Sequence, residues 1–439
     1  MSVGQAQSTL RFAEKREAIL DGAARLFNRR GIKAGTLAEV ADSVGLATNS
    51  LTYYYRKKED LVCACLARSI EAMDAVIAQA AQADGLADRV SAFVHGFVGL
   101  MAEIAERRHA ELIFFGDMRA LPQPQAGPVF AAYVEMFRKL RRLLRQGLPS
   151  IETGVDGRRA LNARTHLLLA EVLWSRAWLT RYESVDYPRA ARAMVDILLH
   201  GLAAPGQDCS AAAWVLPIPL QADQSAQPAD PAALGASAAD PLREAYLRTA
   251  TRLINDHGVG GASVERIAAT LALTKGSFYH HHPTKDQLVD DCFERSFALI
   301  RGAQLRALAA PGSGWQRLLG ATLPLVELHD PAQASAQAPL LRLSAWTELP
   351  GALRWQKFNT LNRLGERYAA LLADGMIDGS VRRVDAAVAA QLVCGLLNAL
   401  AEIGHWVPGD GRQPLVTLFA RPLLMGLLAP TPPNDPNPT

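Results

Sequence analysis

The chain contains itself twice, and that constrains its fold more than any other feature. Residues 16–62 read REAILDGAARLFNRRGIKAGTLAEVADSVGLATNSLTYYYRKKEDLV, and residues 243–289 read REAYLRTATRLINDHGVGGASVERIAATLALTKGSFYHHHPTKDQLV. The two align without a gap at a constant offset of 227, residue 16 answering to residue 243. Arg16/Arg243, Leu20/Leu247, Asn28/Asn255, Gly31/Gly258, Ala41/Ala268, Ser50/Ser277, Lys58/Lys285 and Leu61/Leu288 are identical pairs. Register held over this length points to duplication of one protomer, with units 16–205 and 243–430 of nearly equal length. Between them the composition changes. Residues 205–241 carry six prolines, and no Lys or Arg occurs between Arg192 and Arg243. A Pro/Ala-rich linker is expected there, over 206–239. WVLPIPL (214–220) is its one apolar piece, expected to lie extended against a domain.

Each repeat opens with three short helical patterns. In the first, Ile19, Ala23, Leu26 and Phe27 recur at helical spacing up to Gly31. Thr36 followed by Glu39 is a capping box for a second helix that turns Leu37, Val40, Ala41 and Val44 inward. Gly45-Leu46 supplies a turn, and a third helix is predicted from about Thr48 to Tyr54. The second repeat matches with Tyr246, Ala250, Leu253 and Ile254, then Val264, Ile267, Ala268 and Leu271, then Thr274 to His281. Two short helices joined by a tight turn form a helix-turn-helix, whose second helix fits the DNA major groove.

At these residues the chain resembles the TetR/AcrR-type transcriptional regulators, twice over. Their fingerprint falls on 36–61 and again on 263–288, with Leu273-Thr274-Lys275-Gly276-Ser277-Phe278-Tyr279-His280-His281 the cleaner third helix. Departures are Ala272 for a glycine and His282 for a phenylalanine in the second copy. In the first they are Asn49 for glycine, Thr52 for tyrosine and Arg56 for proline. The resemblance implies an all-α fold, a tandem duplication in which each helix-turn-helix domain precedes a helical ligand-binding and dimerisation bundle. The expected boundaries are 12–72 and 73–205 for the first unit, 240–300 and 301–430 for the second, and a disordered tail over 431–439. It also implies double-stranded operator DNA as partner, an unidentified small-molecule effector, and pairing of the two units within one chain or of whole chains. A linker of about 35 residues spans roughly 30–35 Å as a flexible coil, which permits the pairing within one chain.

The residues expected at the DNA are Thr36, Thr48, Asn49, Ser50, Thr52, Tyr53, Tyr54 and Lys58 in the first copy. In the second they are Ser263, Thr274, Lys275, Gly276, Ser277, Tyr279, His280 and Lys285. Base reading falls to exposed side chains of the third helices, with Leu51 and Phe278 in the small core. Lys58 and Lys285 occupy the family's phosphate-contact position, and Tyr53, Tyr54 and Arg56-Lys57-Lys58 replace the tyrosine missing at Thr52. The rival reading of these charges is a merely solvated surface. A second class of function is a ligand sensor or interaction protein in which one or both helix-turn-helix units no longer read DNA.

Phe97, Met101, Phe114, Tyr133, Phe137, Trp174 and Trp178 are candidates to line an effector pocket, against the plainer reading of core; Phe93 and Phe115 share that ambiguity. So do Trp315, Trp346, Trp355, Phe358 and Trp406 in the second unit. His280-His281-His282 invites a metal, but consecutive helical side chains point about 100° apart and do not converge on one ion. Cys63 and Cys65 raise redox sensing only if exposed and acidic. Five cysteines without a CxxC pair argue against a disulfide framework and suit a reducing cytoplasm. The start lacks the apolar core of a signal peptide, and the apolar run 386–401 is short of a membrane span. A cytoplasmic protein without a membrane partner is expected. No GxSxG, Walker loop, HExxH or strand-borne GxGxxG is present, so no enzyme, catalytic residue, cofactor or metal is expected.

Overall fold

A computed structural model describes residues 3–32, 35–113, 115, 118, 121, 126–146, 148, 155–207, 241–329, 339–349, 351–407 and 413–429. The linker segment 208–240 with WVLPIPL, the tail 431–439, Phe114 and Cys209 lie outside the described residues. Among the described residues the chain is α-helical, with no β-strand and a single isolated bridge between Ala203 and Val381. Among the described residues no helix is long and apolar enough to cross a membrane.

The first repeat runs through α1 (Val3–Arg30), α2 (Leu37–Ser43), α3 (Thr48–Tyr54), α4 (Lys58–Ala80), α5 (Leu86–Ala105), α6 (Ala126–Arg145), α7 (Val155–Trp178) and α8 (Tyr187–His200). The second runs through α9 (Pro241–Gly261), α10 (Val264–Thr270), α11 (Lys275–His281), α12 (Lys285–Ala309), α13 (Gly314–Glu327), α14 (Gly351–Ile377), α15 (Ala386–Leu400), α16 (Ile403–Trp406) and α17 (Arg421–Met425). The duplication is reproduced helix by helix at the start of each repeat. α1 ends where Gly31 turns with φ 78°, and inside α9 the chain turns at Gly258 with φ 71°. Only glycine adopts that left-handed backbone without a Cβ penalty, so the identity of this pair has a local cause. Most of the uncharged run 386–401 forms α15, which is buried along most of its length.

Two compact units form, and each takes in residues of both repeats. One comprises Met1–Pro149, Val172–Val195 and Ser344–Phe358. Its core gathers Ile19, Phe27, Leu51, Leu61, Phe93, Phe97 and Phe137, all essentially inaccessible. Within it Arg354, from the second repeat, donates from Nη1 to the Asn28 carbonyl at 3.0 Å.

The other unit comprises Ser150–Glu171, Asp196–Leu343 and Asn359–Thr439. Here the late helices of both repeats interlock. Asn162 donates to the Trp406 carbonyl at 2.9 Å, and His166 Nε2 lies 2.9 Å from the Ala399 carbonyl oxygen. Arg164 donates to the Leu427 carbonyl at 3.1 Å, burial drawing its guanidinium down to about 10. Backbone bonds Leu202 N to Leu424 O (2.8 Å) and Leu427 N to Leu198 O (2.7 Å) close the arrangement. At Gly201 an added Cβ would sit 2.4 Å from the Met425 backbone, so the close approach there requires glycine.

Candidate nucleic-acid interface

The turn between α2 and α3 is built by capping. Thr36 Oγ1 accepts from Glu39 N at 3.2 Å, and Glu39 returns a carboxylate to Thr36 N at 3.0 Å. The bond from the Thr36 backbone, then that from its hydroxyl, hold the Glu39 carboxyl below its ordinary range. In the second copy Ser263 Oγ accepts from Arg266 N at 3.2 Å. Thr36 and Ser263, expected at the DNA, thus use their hydroxyls as N-caps. Leu46 N bonds Ala41 O, and Leu273 N bonds Ala268 O, both at 2.9 Å. The backbone between is left-handed in both copies: φ is 66° at Gly45 and 55° at Ala272.

On α3, Thr48, Asn49 and Ser50 are exposed and Tyr53 is 77% exposed, while Leu51 is buried as expected. Tyr54 is half-buried. Thr52 is half-buried too, and its hydroxyl donates to the Asn49 carbonyl at 2.9 Å within its own helix. On α11, Thr274, Lys275, Gly276 and His280 are exposed and Tyr279 is 48% exposed. Thr274 caps the helix by accepting from Ser277 N at 3.2 Å. Two expected readers have intramolecular partners. Ser277 is half-buried and accepts from the Tyr246 hydroxyl at 3.1 Å; Lys275 Nζ lies 2.5 Å from Glu265. Phe278 is buried, and so is His282, whose Nδ1 lies 3.3 Å from Asp291. Burial would raise the Asp291 carboxyl, but His282, Gln287 and Arg243 outweigh it and leave it low. The three histidines therefore diverge, and among the described residues no group of three metal-ligating side chains forms.

Lys58 and Lys285 have a role the motif did not suggest. Lys58 Nζ donates to the Ile32 carbonyl at 3.1 Å, and Lys285 Nζ donates to the carbonyl of Val259, the matching residue. Each lysine ties the start of the fourth helix of its repeat to the turn after the first. Arg56 and Lys57 are exposed and carry the open positive charge of that edge. Cys65 is buried with its thiol pushed up to about 12, and burial also raises Cys63. Neither has the acidic thiol that redox sensing needs.

In each repeat a strap lies against the end of the first helix and against the fourth helix. In the first repeat, Asn28 at the end of α1 donates to the Leu112 carbonyl at 2.8 Å, and Arg176 of α7 donates to the same oxygen at 2.6 Å. Glu111 lies 3.5 Å from Arg176, and Ser69 Oγ accepts from Ile113 N at 3.0 Å. In the second repeat, Asn255 donates to the Leu340 carbonyl at 2.8 Å, and Ser296 Oγ accepts from Leu341 N at 2.9 Å. There the strap supplies the cation: Arg342 lies 3.2 Å from Glu402, just past α15. The strap is ion-paired in both copies with the charges exchanged, to α7 in the first and to the turn after α15 in the second. His329, held neutral by burial near about 3, accepts from Leu340 N at 3.2 Å.

Phe97, Met101, Tyr133, Phe137, Trp174 and Trp178 are all buried. Three polar groups on α7 stand out. Glu171 is completely buried and neither carboxylate oxygen has a hydrogen-bond partner; desolvation raises it well above its ordinary value. The indole N–H groups of Trp174 and Trp178 are likewise unpartnered.

The family model of bacterial regulatory proteins, tetR family, matches twice, over residues 19–65 and 247–292. The chain is 30% identical over 108 residues to the HTH-type transcriptional repressor KstR2 of Mycolicibacterium smegmatis, a match covering 24% of this chain and 50% of that relative. It thus spans about half the length of that relative. To the KstR2 repressor of Rhodococcus jostii it is 26% identical over 196 residues, covering 44% of this chain and 92% of that protein. Among solved structures, AibR in complex with isovaleryl coenzyme A and operator DNA is similar with a TM-score of 0.36 at 24% identity, covering 42% of this chain and 98% of that one. The same module thus matches at both ends of the duplication, the described residues are all helical, and the chain carries two TetR-like units.

Proposed function

We propose that this chain is a transcriptional repressor that binds operator DNA through α3 and α11 and is released by a small molecule held in a helical bundle. The observation that carries the reading is the pair of exposed, same-register surfaces, Thr48-Asn49-Tyr53 and Lys275-Gly276-His280, with Ser50 and Thr274 exposed beside them. Their chemistry differs: α3 (TNSLTYY) has no charged side chain, while α11 (KGSFYHH) is basic. Each helix would enter a major groove and meet base edges from its exposed face, with Arg56 and Lys57 on phosphates. The naming of the KstR2 relatives as repressors supports the sign of regulation.

The halves pair as a covalent pseudo-dimer in this reading. The bonds from Asn162, His166 and Arg164 to the Trp406, Ala399 and Leu427 carbonyls support it, since they join the late helices of the two repeats. The domain boundaries follow the repeats: reading heads over 12–72 and 240–300, bundles over 73–205 and 301–430. Two unlike heads on one chain favour a non-palindromic operator. The effector acts through the straps. A ligand that moves α7 pulls on the Leu112 carbonyl through Arg176, and Asn28 carries the shift to the DNA-reading domain, changing the populations of binding and non-binding arrangements.

Exchanging residues 47–54 for 274–281 tests the core of the proposal. Two identical heads should select a more symmetric site, and an unchanged site would refute it. A solution mass of one chain is expected; two chains would replace the pseudo-dimer by a dimer with four heads. One observation favours a silent first copy: Thr52 turns its hydroxyl onto its own helix. Replacing both Arg56 and Lys57 by Ala decides this, since a silent copy leaves affinity and salt slope unchanged.

A further inference from the structure

α1 runs back to Val3. The first copy thus carries helical turns ahead of the repeated segment, and Phe12 stands on them. The matching position in the second copy is Ala239, outside the described residues. Phe12 is 43% exposed, yet its ring stacks on Tyr54 with centroids 4.8 Å apart and planes 27° from parallel. It also meets Tyr53 edge-on at 6.3 Å. Tyr53 and Tyr54 are themselves edge-to-face at 5.5 Å and 90°.

The same edge-to-face pair recurs in the second copy, where His280 and His281 stand 5.2 Å apart at 86°. Phe12 is therefore an addition to a repeated arrangement. Tyr53, at 77% exposure, is not fixed by burial; ring contacts set its direction. The chemistry of α3 narrows what that ring can read. With no Arg or Lys on the helix, the usual bidentate contact to guanine is absent from it. Asn49 suits adenine, and an exposed aromatic ring suits the 5-methyl group of thymine.

We propose that Phe12 is a positioning residue for base reading by the first copy: it clamps Tyr54, Tyr54 directs Tyr53, and Tyr53 lays its ring against a thymine methyl in the major groove. The proposal rests on the reading of α3 as a DNA-reading helix and deepens it, since it assigns the first half-site its base chemistry.

Deoxyuridine differs from thymidine only by that methyl. In an operator selected by the full chain, each thymine is replaced in turn by deoxyuridine, and binding is measured for the wild type and for Phe12→Ala, Phe12→Tyr, Tyr53→Phe and Tyr53→Ala. The wild type should lose about fourfold at one position in the first half-site, the worth of one buried methyl. Phe12→Ala and Tyr53→Ala should lose this sensitivity, while Phe12→Tyr and Tyr53→Phe keep it. The second half-site, non-specific affinity and the thermal midpoint should not change. If Phe12→Ala keeps the methyl sensitivity, or if both half-sites lose theirs together, the proposal is overturned. A folded Phe12→Tyr variant that fails to rescue also overturns it. Sequence-specific binding without any methyl-sensitive position in the first half-site removes this inference alone; no binding to any DNA removes the proposed function with it.

Discussion

Ala272 holds a backbone conformation that its partner in the first copy reaches with glycine, so the chain carries its own control for a substitution there. The left-handed region costs an alanine about 1–2 kcal/mol. Glycine escapes that cost but loses about 0.5–1 kcal/mol more backbone entropy on folding. Ala272→Gly should therefore stabilise the α10–α11 turn by about 0.5–1 kcal/mol, and Gly45→Ala should cost the α2–α3 turn a similar amount. Sterics do not complicate the comparison. A Cβ built on Gly45 meets nothing within 4 Å, and Ala272 is exposed. The assay is native-state hydrogen exchange at Leu273 N, which bonds Ala268 O, and at Leu46 N, which bonds Ala41 O. Protection of Leu273 should rise about twofold to fivefold in Ala272→Gly, with Leu46 untouched. Gly45→Ala should do the reverse at Leu46. Unchanged or lowered protection of Leu273 in Ala272→Gly would refute the argument from φ.

Other perturbations follow from the same geometry. Glu265→Gln frees Lys275 from its exposed partner and should raise DNA affinity about twofold at low ionic strength, with the gain fading as salt increases; a loss of affinity would count against Lys275 as a DNA contact. Arg176→Met removes two bonds to strap carbonyls and a buried pairing with Glu111, and should cost about 2–4 kcal/mol in urea denaturation while uncoupling effector from DNA release. An Arg176→Met protein still released normally by effector would exclude the strap as the coupling path. Glu171 has a folded-state pKa raised above its ordinary 4.5, so its contribution is fully present below that value and is lost as pH climbs from there through the raised pKa. Glu171→Gln should therefore flatten the fall in stability above pH 4.5 and be the more stable form at neutral pH, as read by denaturant midpoints across pH. Equal slopes for both proteins would contradict the burial of an ionisable carboxyl there.

The helix-turn-helix units are legible in the sequence because their determinants are local. The Thr36/Glu39 capping box, the Gly45 turn, buried Leu51 and Phe278, and the α3 span Thr48–Tyr54 all act within a few residues of one another. The apolar run 386–401 was equally clear, since length alone separates a buried helix from a membrane span. What the pattern hid depends on partners far along the chain. The motif places Lys58 at a phosphate, and the Ile32 carbonyl it bonds lies 26 positions away. Ser277 falls among the third-helix residues expected at the bases, but the Tyr246 hydroxyl meets it from α9. The straps were invisible for the same reason: Asn28/Asn255 is an identical pair in sequence, but its carbonyl partners lie in loops with no signature of their own. The exchanged charges of Glu111–Arg176 and Arg342–Glu402 hide the correspondence from any residue-by-residue comparison. Phe12 lies outside the repeated segment, so alignment of the two copies passes it by.

The central claim is that one chain carries two unlike DNA-reading heads that work as a pair. Selection of bound sites from random DNA by the purified full chain, followed by footprinting of the winners, tests it most directly. Two unlike half-sites about one helical turn apart, protected together, are predicted. A palindrome would contradict it by showing that one copy reads and whole chains pair, and a folded protein that enriches no sequence at low salt would contradict DNA reading altogether.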